Sequence, residues 1–92
     1  MSGQNVKDMI KSGAKIIDVR TKGEFGDEAY PGAINIPLDV LPARLDELGP
    51  KDEPIVLYCA SGARSAQAAR FLKQSGYTEV VNAGGLDDMP RR

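Results

Sequence analysis

The sequence predicts an α/β fold, a three-layer sandwich in which a mainly parallel sheet of four to five strands has helices on both faces. Short apolar runs rich in β-branched residues alternate along the chain with segments of helical periodicity. Glycine or proline stands at most junctions between these segments. With 92 residues, of which 41% are hydrophobic and 27% charged, the chain can form one modest core. We therefore expect a single domain over residues 1–92.

Residues 1–32 predict a helix, a strand and a loop. The helix has three apolar residues at the spacing of one helical face, and Gly13 is a suitable residue to end it. Residues 15–19 form a short β-branched run that is typical of a buried strand. Residues 20–32 are polar and rich in glycine, so we expect a loop that contains one helical turn. The apolar residues of the helix are Val6, Met9 and Ile10, and the helical turn lies near Glu24-Phe25.

The next segment predicts a second strand and a second helix. Residues 33–36 are the strand, and Pro37 ends it. Residues 38–48 are the helix, in which Pro42 suits the first turn and Gly49-Pro50 suit the end. One face of this helix carries four leucines: Leu38, Leu41, Leu45 and Leu48.

The second half of the chain contains the most apolar strand, residues 55–58, followed by a helix over residues 63–75 that Gly76 ends. Residues 79–82 predict the last strand. In parallel α/β sheets, ligands bind at the carboxyl ends of the strands. Cys59 lies at such an end, so the loop after it is the candidate site. One face of the helix that follows carries Ser65, Ala68, Ala69 and Leu72.

This loop, Cys59-Ala60-Ser61-Gly62-Ala63-Arg64-Ser65, contains the only cysteine of a chain that has no histidine. Its small residues allow the backbone to curl, and Gly62 permits a positive φ. A curled backbone that leads into a helix directs its N–H groups inward, where the helix N-terminus adds partial positive charge. We expect these N–H groups and Arg64 to keep the Cys59 thiol ionised without a general base.

A more ordinary interpretation exists for each residue of the loop. A lone cysteine after an apolar strand is most often a small buried hydrophobic residue. Arg64 by itself is typical of a surface arginine, and Ser65 of a helix N-cap or first turn. The combination of Gly62, Arg64 and the following helix favours a reactive cysteine.

The composition excludes several classes of function. A chain without histidine has no Ser-His-Asp or Cys-His catalysis, and it has no zinc site of Cys and His ligands. One cysteine forms neither an internal disulfide nor a dithiol relay. The formal net charge of −1 gives no reason to expect nucleic acid or an anionic membrane as a partner. We expect no metal and no cofactor. Because the N-terminus lacks the apolar core of a signal peptide, we expect a cytoplasmic location.

Four segments in order resemble the single-domain rhodaneses (thiosulfate sulfurtransferases), and the resemblance covers nearly the whole chain. The segments are Ile17–Arg20 with Glu24-Phe25, Pro31–Pro37, Cys59–Arg64 and Asn82–Leu86. The closing segment GYTEVVNAGGLDDMP is most similar to the small phage-shock-type sulfurtransferases. Those proteins are periplasmic, which makes the periplasm the alternative location if a leader has been removed.

The resemblance implies a mechanism and roles for named residues. Cys59 would attack a sulfane donor such as thiosulfate, hold the sulfur as a persulfide and pass it to a thiol or cyanide. The N–H groups of residues 60–65 would stabilise the outer sulfur, and Arg64 would hold the donor's sulfonate. The supporting residues would be Asp18, Arg20 and Glu24, which brace the loops in the family, and Asn35, for which a strand-end hydrogen bond is favoured. Where the family often has a histidine and a larger polar residue, this chain has Ala29 and Ala60, which puts donor preference in question.

Two alternatives remain open. Cysteine phosphatases and arsenate reductases use a similar loop, but they place five residues between cysteine and arginine. Here only four residues separate Cys59 from Arg64, and the shorter arc suits one sulfur atom better than a tetrahedral phosphate. The second alternative is a sulfur carrier or regulatory module that acts on a protein partner. The intact cysteine and loop argue against an inert module, but they do not exclude a sulfur carrier.

Overall fold

The computed structural model describes residues 2–90, with side chains from residue 6 onward, so residues 1, 91 and 92 of the predicted domain lie outside the described residues. In the described part, four parallel strands form one sheet in the order β2-β1-β3-β4. The predicted α/β architecture is confirmed, with four of the expected four to five strands. The strands are β1 (Lys15–Asp18), β2 (Ile34–Asn35), β3 (Ile55–Cys59) and β4 (Val80–Gly85).

Three α-helices connect or flank these strands: α1 (Ser2–Lys11), α2 (Lys22–Asp27) and α3 (Ala63–Gln74). The short α2 is the helical turn expected within the loop of residues 20–32. A short 3-10 turn, Leu86–Asp88, follows β4. None of the helices in residues 2–90 is both long and apolar enough to cross a membrane.

The segment Leu38–Leu48 differs from the regular helix that its leucine spacing predicts, because it consists of 3-10 turns with a kink at Arg44. Pro42 lies inside the segment and not in its first turn. Proline has no N–H to donate, so a continuous helix is interrupted there. The leucine face is nevertheless used as predicted: Leu41 and Leu48 are buried, while Leu38 and Leu45 pack against the same core.

The side chains of β3 point alternately to the two faces of the sheet, and each face has its own core. Ile55, Leu57 and Cys59 point to the face that α3 covers. Val56 and Tyr58 point to the opposite face, which α1 covers. The same period of two therefore directs the Cys59 side chain towards the start of α3.

The pairing of β3 with β4 is irregular beside Cys59. Leu57 pairs with Asn82, but Cys59 pairs with Gly85, so β4 has one extra residue between these two pairs. Gly84 takes a φ of +97°, which glycine adopts without steric cost. As a result, β4 continues to Gly85, beyond the Asn82 end that the sequence predicts, and its last residues lie against the loop after Cys59.

Candidate active site

The loop between β3 and α3 is a tight curl whose geometry depends on glycine. Gly62 is the N-cap of α3 and has a φ of +104°. A Cβ atom at this position would also lie 3.2 Å from Gly84 Cα. Gly85 is packed as tightly, because a Cβ atom there would overlap the carbonyl oxygen of Ala60. Two glycines of β4 thus hold the loop in place by close backbone contact.

The curl directs main-chain donors at the sulfur atom of Cys59. The Gly62 amide donates to Sγ at 2.9 Å and the Ser65 amide at 3.4 Å. Burial raises the pKa of the Cys59 thiol, but the Ser65 hydroxyl and the amides of Ser65, Gly62 and Ser61 more than offset it and lower that pKa to about 7. A substantial fraction of the thiol is therefore ionised near neutral pH, with no histidine involved.

The Ser65 hydroxyl has one proton and several acceptors within reach. Its oxygen lies 3.4 Å from Cys59 Sγ but only 2.6 Å from Asn82 Oδ1. Sulfur is larger than oxygen, so both distances are within hydrogen-bond range, and the hydroxyl proton is shared between Asn82 and the sulfur. The Gly62 amide, at 2.9 Å, is the closest donor to the sulfur.

Asn82 is a site residue that was not singled out from the sequence. Its Nδ2 donates to the Gly62 carbonyl at 3.2 Å, and its Oδ1 accepts from the Gly84 amide at 2.9 Å. The side chain thereby ties the end of β4 to the loop. Its position in the sequence could have indicated this role, because it lies near the carboxyl end of the strand beside β3, where the site residues of parallel sheets are found.

The Cys59 thiol is enclosed in this structure. Its side chain has 0% exposure and packs in the same core as Ile17 and Leu57. The sequence predicts the inward amides, and it does not predict this closure. A reagent can reach the sulfur only when part of the surrounding loop moves aside.

The other loop residues contribute through different atoms. Ala60, Ser61 and Ala63 have exposed side chains, so they act at the site through the backbone. Arg64, expected to hold a donor's sulfonate, is instead engaged by a carboxylate of this chain. Its Nη1 and Nη2 donate to the two oxygens of Glu24 at 2.8 and 3.1 Å. This ion pair connects α2 to the first turn of α3.

The predicted supporting residues lie at the carboxyl end of β1. Asp18 and Arg20 form a buried ion pair, with 2.7 Å between Arg20 Nη2 and Asp18 Oδ2. Arg20 also donates to the Glu28 carbonyl at 2.6 Å, which fixes the loop after α2. Asn35 donates through Nδ2 to the carbonyls of Asp18 and Arg20, both at 3.0 Å, as its strand-end position favours. These contacts order the neighbouring loop, and within residues 6–90 none of them reaches Cys59 Sγ.

Within the described residues, no group of three or more cysteine and carboxylate side chains is placed to hold a metal ion. The chemistry that this site offers with its own groups is that of an ionised sulfur surrounded by N–H donors.

Comparison with known proteins identifies the family. The family model of the rhodanese-like domain matches residues 2–89. A sulfurtransferase of Allochromatium vinosum is 43% identical over 70 residues, which are 76% of this chain and 64% of that protein, so this chain spans less than two thirds of that relative. Thiosulfate sulfurtransferase PspE of Escherichia coli is 43% identical over 74 residues, 79% of this chain and 71% of PspE.

A solved structure shares the overall fold. The structure described as a rhodanese with anions from E. coli superposes with a TM-score of 0.79 at 41% identity. The match covers 85% of this chain and 95% of that one. The overall fold thus recurs in a relative of clear sequence similarity, and the chain belongs to the rhodanese-like domain family.

Proposed function

We propose that this protein is a sulfurtransferase that accepts a sulfane sulfur on Cys59 and transfers it to a thiol or cyanide. The observation that carries the proposal is the pair of main-chain N–H groups, from Gly62 and Ser65, that point at Cys59 Sγ. They stabilise a thiolate as the nucleophile and suit a persulfide anion equally well. The names of the two sulfurtransferase relatives support the same reaction class.

The first step transfers sulfur to the enzyme. The Cys59 thiolate attacks the outer sulfur of thiosulfate, and a new S–S bond forms as the bond to the sulfonate sulfur breaks. The electron pair of the broken bond leaves with sulfite. The product is a Cys59 persulfide anion, so charge and atoms balance without an oxidant or reductant.

The second step returns the enzyme to its starting state. Cyanide or a thiolate attacks the outer sulfur of the persulfide, and the electron pair of the S–S bond returns to Cys59. Thiocyanate or the persulfide of the acceptor leaves. Because Cys59 holds the sulfur covalently between the two half-reactions, we expect ping-pong kinetics. Because the thiol is enclosed, each half-reaction also requires the loop to open transiently.

Arg64 is the side chain that we assign to the donor's anionic end. It is the second residue of α3, between the two residues whose amides contact Sγ. The hydrogen bonds to Glu24 are the main cause that raises the pKa of the Arg64 guanidinium, and the nearby Cys59 charge adds to this rise. A guanidinium in this position can pair with a sulfonate once Glu24 releases it.

Intact-mass spectrometry tests the reaction. After incubation with thiosulfate, we expect the protein to gain the mass of one sulfur atom and to lose it again on addition of cyanide. Cys59→Ser is the matched control and should gain nothing. A protein that stays unmodified by thiosulfate and by other sulfane donors would refute the enzyme proposal.

The same persulfide protein distinguishes an enzyme that uses small acceptors from a sulfur carrier. The acceptors are titrated separately: cyanide, glutathione and a candidate protein thiol. Fast turnover with small acceptors supports the proposal. Slow loss to every small acceptor, together with fast loss to one protein, would replace it with the carrier function.

A further inference from the structure

We propose that Glu24 limits the binding of anionic sulfur donors by acting through Arg64: its carboxylate occupies the guanidinium that such a donor must use, and the donor displaces it. The inference rests on the proposed function of Cys59. It assigns to Glu24 a role beyond the structural brace that the sequence suggests.

The first support is the geometry of the pair. Both Arg64 Nη atoms contact Glu24, one to each carboxylate oxygen. A guanidinium binds carboxylates and phosphates in this same bidentate arrangement. While it persists, the side of Arg64 that would best receive a sulfonate is already filled by an anion.

The second support is that the pair is exposed enough to exchange. The side chains of Arg64 and Glu24 are 35% and 36% exposed, and exposed ion pairs contribute little stability. The Arg20–Asp18 pair differs, since its side chains are only 7% and 0% exposed. A solvated dianion can therefore compete for Arg64, whereas Arg20 is held inside the protein.

The third support is that Glu24 is held ready to return. It belongs to a capping box at the start of α2, in which Thr21 Oγ1 accepts from the Glu24 amide and Glu24 Oε1 accepts from the Thr21 amide at 2.9 Å. The capping contacts keep the carboxylate near Arg64 after the donor has displaced it. When sulfite forms, the same carboxylate can recapture the guanidinium and help the product to leave.

Glu24→Gln is the diagnostic substitution. Glutamine serves in a capping box as glutamate does, so α2 is kept while the competing charge is removed. Glu47→Gln is a matched control. Glu47 also makes a bidentate pair on the surface, with Arg44 at 2.6 and 2.7 Å and comparable exposure, but this pair has no contact with the loop after Cys59. Equal melting temperatures of the two variants would show that both keep the fold.

Equilibrium binding measured by calorimetry in a Cys59→Ser background tests the inference without turnover. We expect Glu24→Gln to tighten thiosulfate binding by about fivefold, a size set by the modest strength of exposed pairs. The affinity for sulfate should increase in the same way. Glu47→Gln should leave the affinity for thiosulfate unchanged, and adding Arg64→Ala to Glu24→Gln should remove the increase. In the enzyme with Cys59 intact, Glu24→Gln should lower KM for thiosulfate without raising kcat.

Several results would overturn the inference. Unchanged, weaker or unmeasurable thiosulfate binding in the Glu24→Gln variant would show that Glu24 only braces the loop. Equal tightening by Glu47→Gln would show a general charge effect. Failure of the proposed function would give a different result. In that case no persulfide mass would appear, although the binding results could still be as expected.

Discussion

Asn82 Oδ1 lies 2.6 Å from the Ser65 hydroxyl oxygen, and this contact joins the end of β4 to the first turn of α3. The same Oδ1 accepts the Gly84 amide, and Asn82 Nδ2 donates to the Gly62 carbonyl. One amide side chain therefore positions the glycine whose N–H lies closest to the Cys59 sulfur. We therefore expect the ionisation of Cys59 to depend on a residue of a different strand.

This relationship predicts the effect of Asn82→Ala. Without the amide, Gly62 and Ser65 lose a common partner and their N–H groups are less well aimed at Sγ. The Ser65 hydroxyl, released from Asn82, offsets only part of this loss, so we expect the thiol pKa to rise above about 7. The ultraviolet absorbance of the thiolate, measured against pH with Cys59→Ser as the blank, gives the midpoint. Gln67→Ala, on the exposed side of α3, should leave that midpoint in place. An unchanged midpoint in Asn82→Ala would contradict the positioning role.

Ser65→Ala tests which group the hydroxyl serves. Because its proton is shared between Asn82 and Sγ, we expect the midpoint to rise by no more than about one pH unit, the size of one ordinary hydrogen bond. The Ser65 amide, which also contacts Sγ, is unaffected by the substitution. A much larger rise would show that the hydroxyl is itself the main donor to the thiolate.

The lowered thiol pKa also predicts how stability depends on pH. The Cys59 pKa is about 7 when folded and 9.0 as a free thiol, so between these pH values the unfolded chain binds more protons. The free energy of unfolding should therefore rise from pH 7 to pH 9, by at most about 3 kcal/mol, and the gain should be lost as pH falls through 7. Urea unfolding of the natural protein and Cys59→Ser measures it. The variant should lack this rise, and parallel curves for the two proteins would refute the thiolate.

Gly85→Ala predicts a defect confined to the loop. Gly85 has an ordinary φ of −92°, so alanine costs no backbone strain, but its Cβ would overlap the Ala60 carbonyl. The loop must shift, and we expect persulfide formation to slow at least about tenfold, since small displacements of reacting groups are costly. Gly26→Ala is the control, because a Cβ there meets nothing within 4 Å. Equal rates of persulfide formation in the two variants would show that the close contact is unimportant.

The buried ion pair of β1 predicts a large loss of stability. In Asp18→Ala, Arg20 keeps its bond to the Glu28 carbonyl but loses its carboxylate inside the protein. Breaking such a pair costs roughly 3–5 kcal/mol. Chemical denaturation of Asp18→Ala and of the double variant Asp18→Ala with Arg20→Met measures this cost. The double variant should recover part of the stability, because it removes the unpaired charge, and no recovery would contradict this explanation.

Features set by neighbouring residues along the chain could be predicted from the sequence. The β-branched run of β3, the leucine spacing and the small residues after Cys59 predicted a strand, a buried face and a curl. Local periodicity and glycine conformations suffice for these features, because the interacting atoms are only a few residues apart. The Gly62 N–H to Cys59 Sγ bond spans three residues and belongs to this class.

Features set by residues far apart in sequence needed the tertiary structure. The Arg64–Glu24 pair spans 40 residues and the Ser65–Asn82 contact 17. The close approach of Gly85 to Ala60 accompanies the extra residue in β4. Each of these depends on the relative position of two elements, and that position is set by packing of the whole core and has no signature in either segment alone. Sequence by itself thus predicted the ring of amides around Cys59, while the fold decided which side chains hold that ring and which anion occupies Arg64.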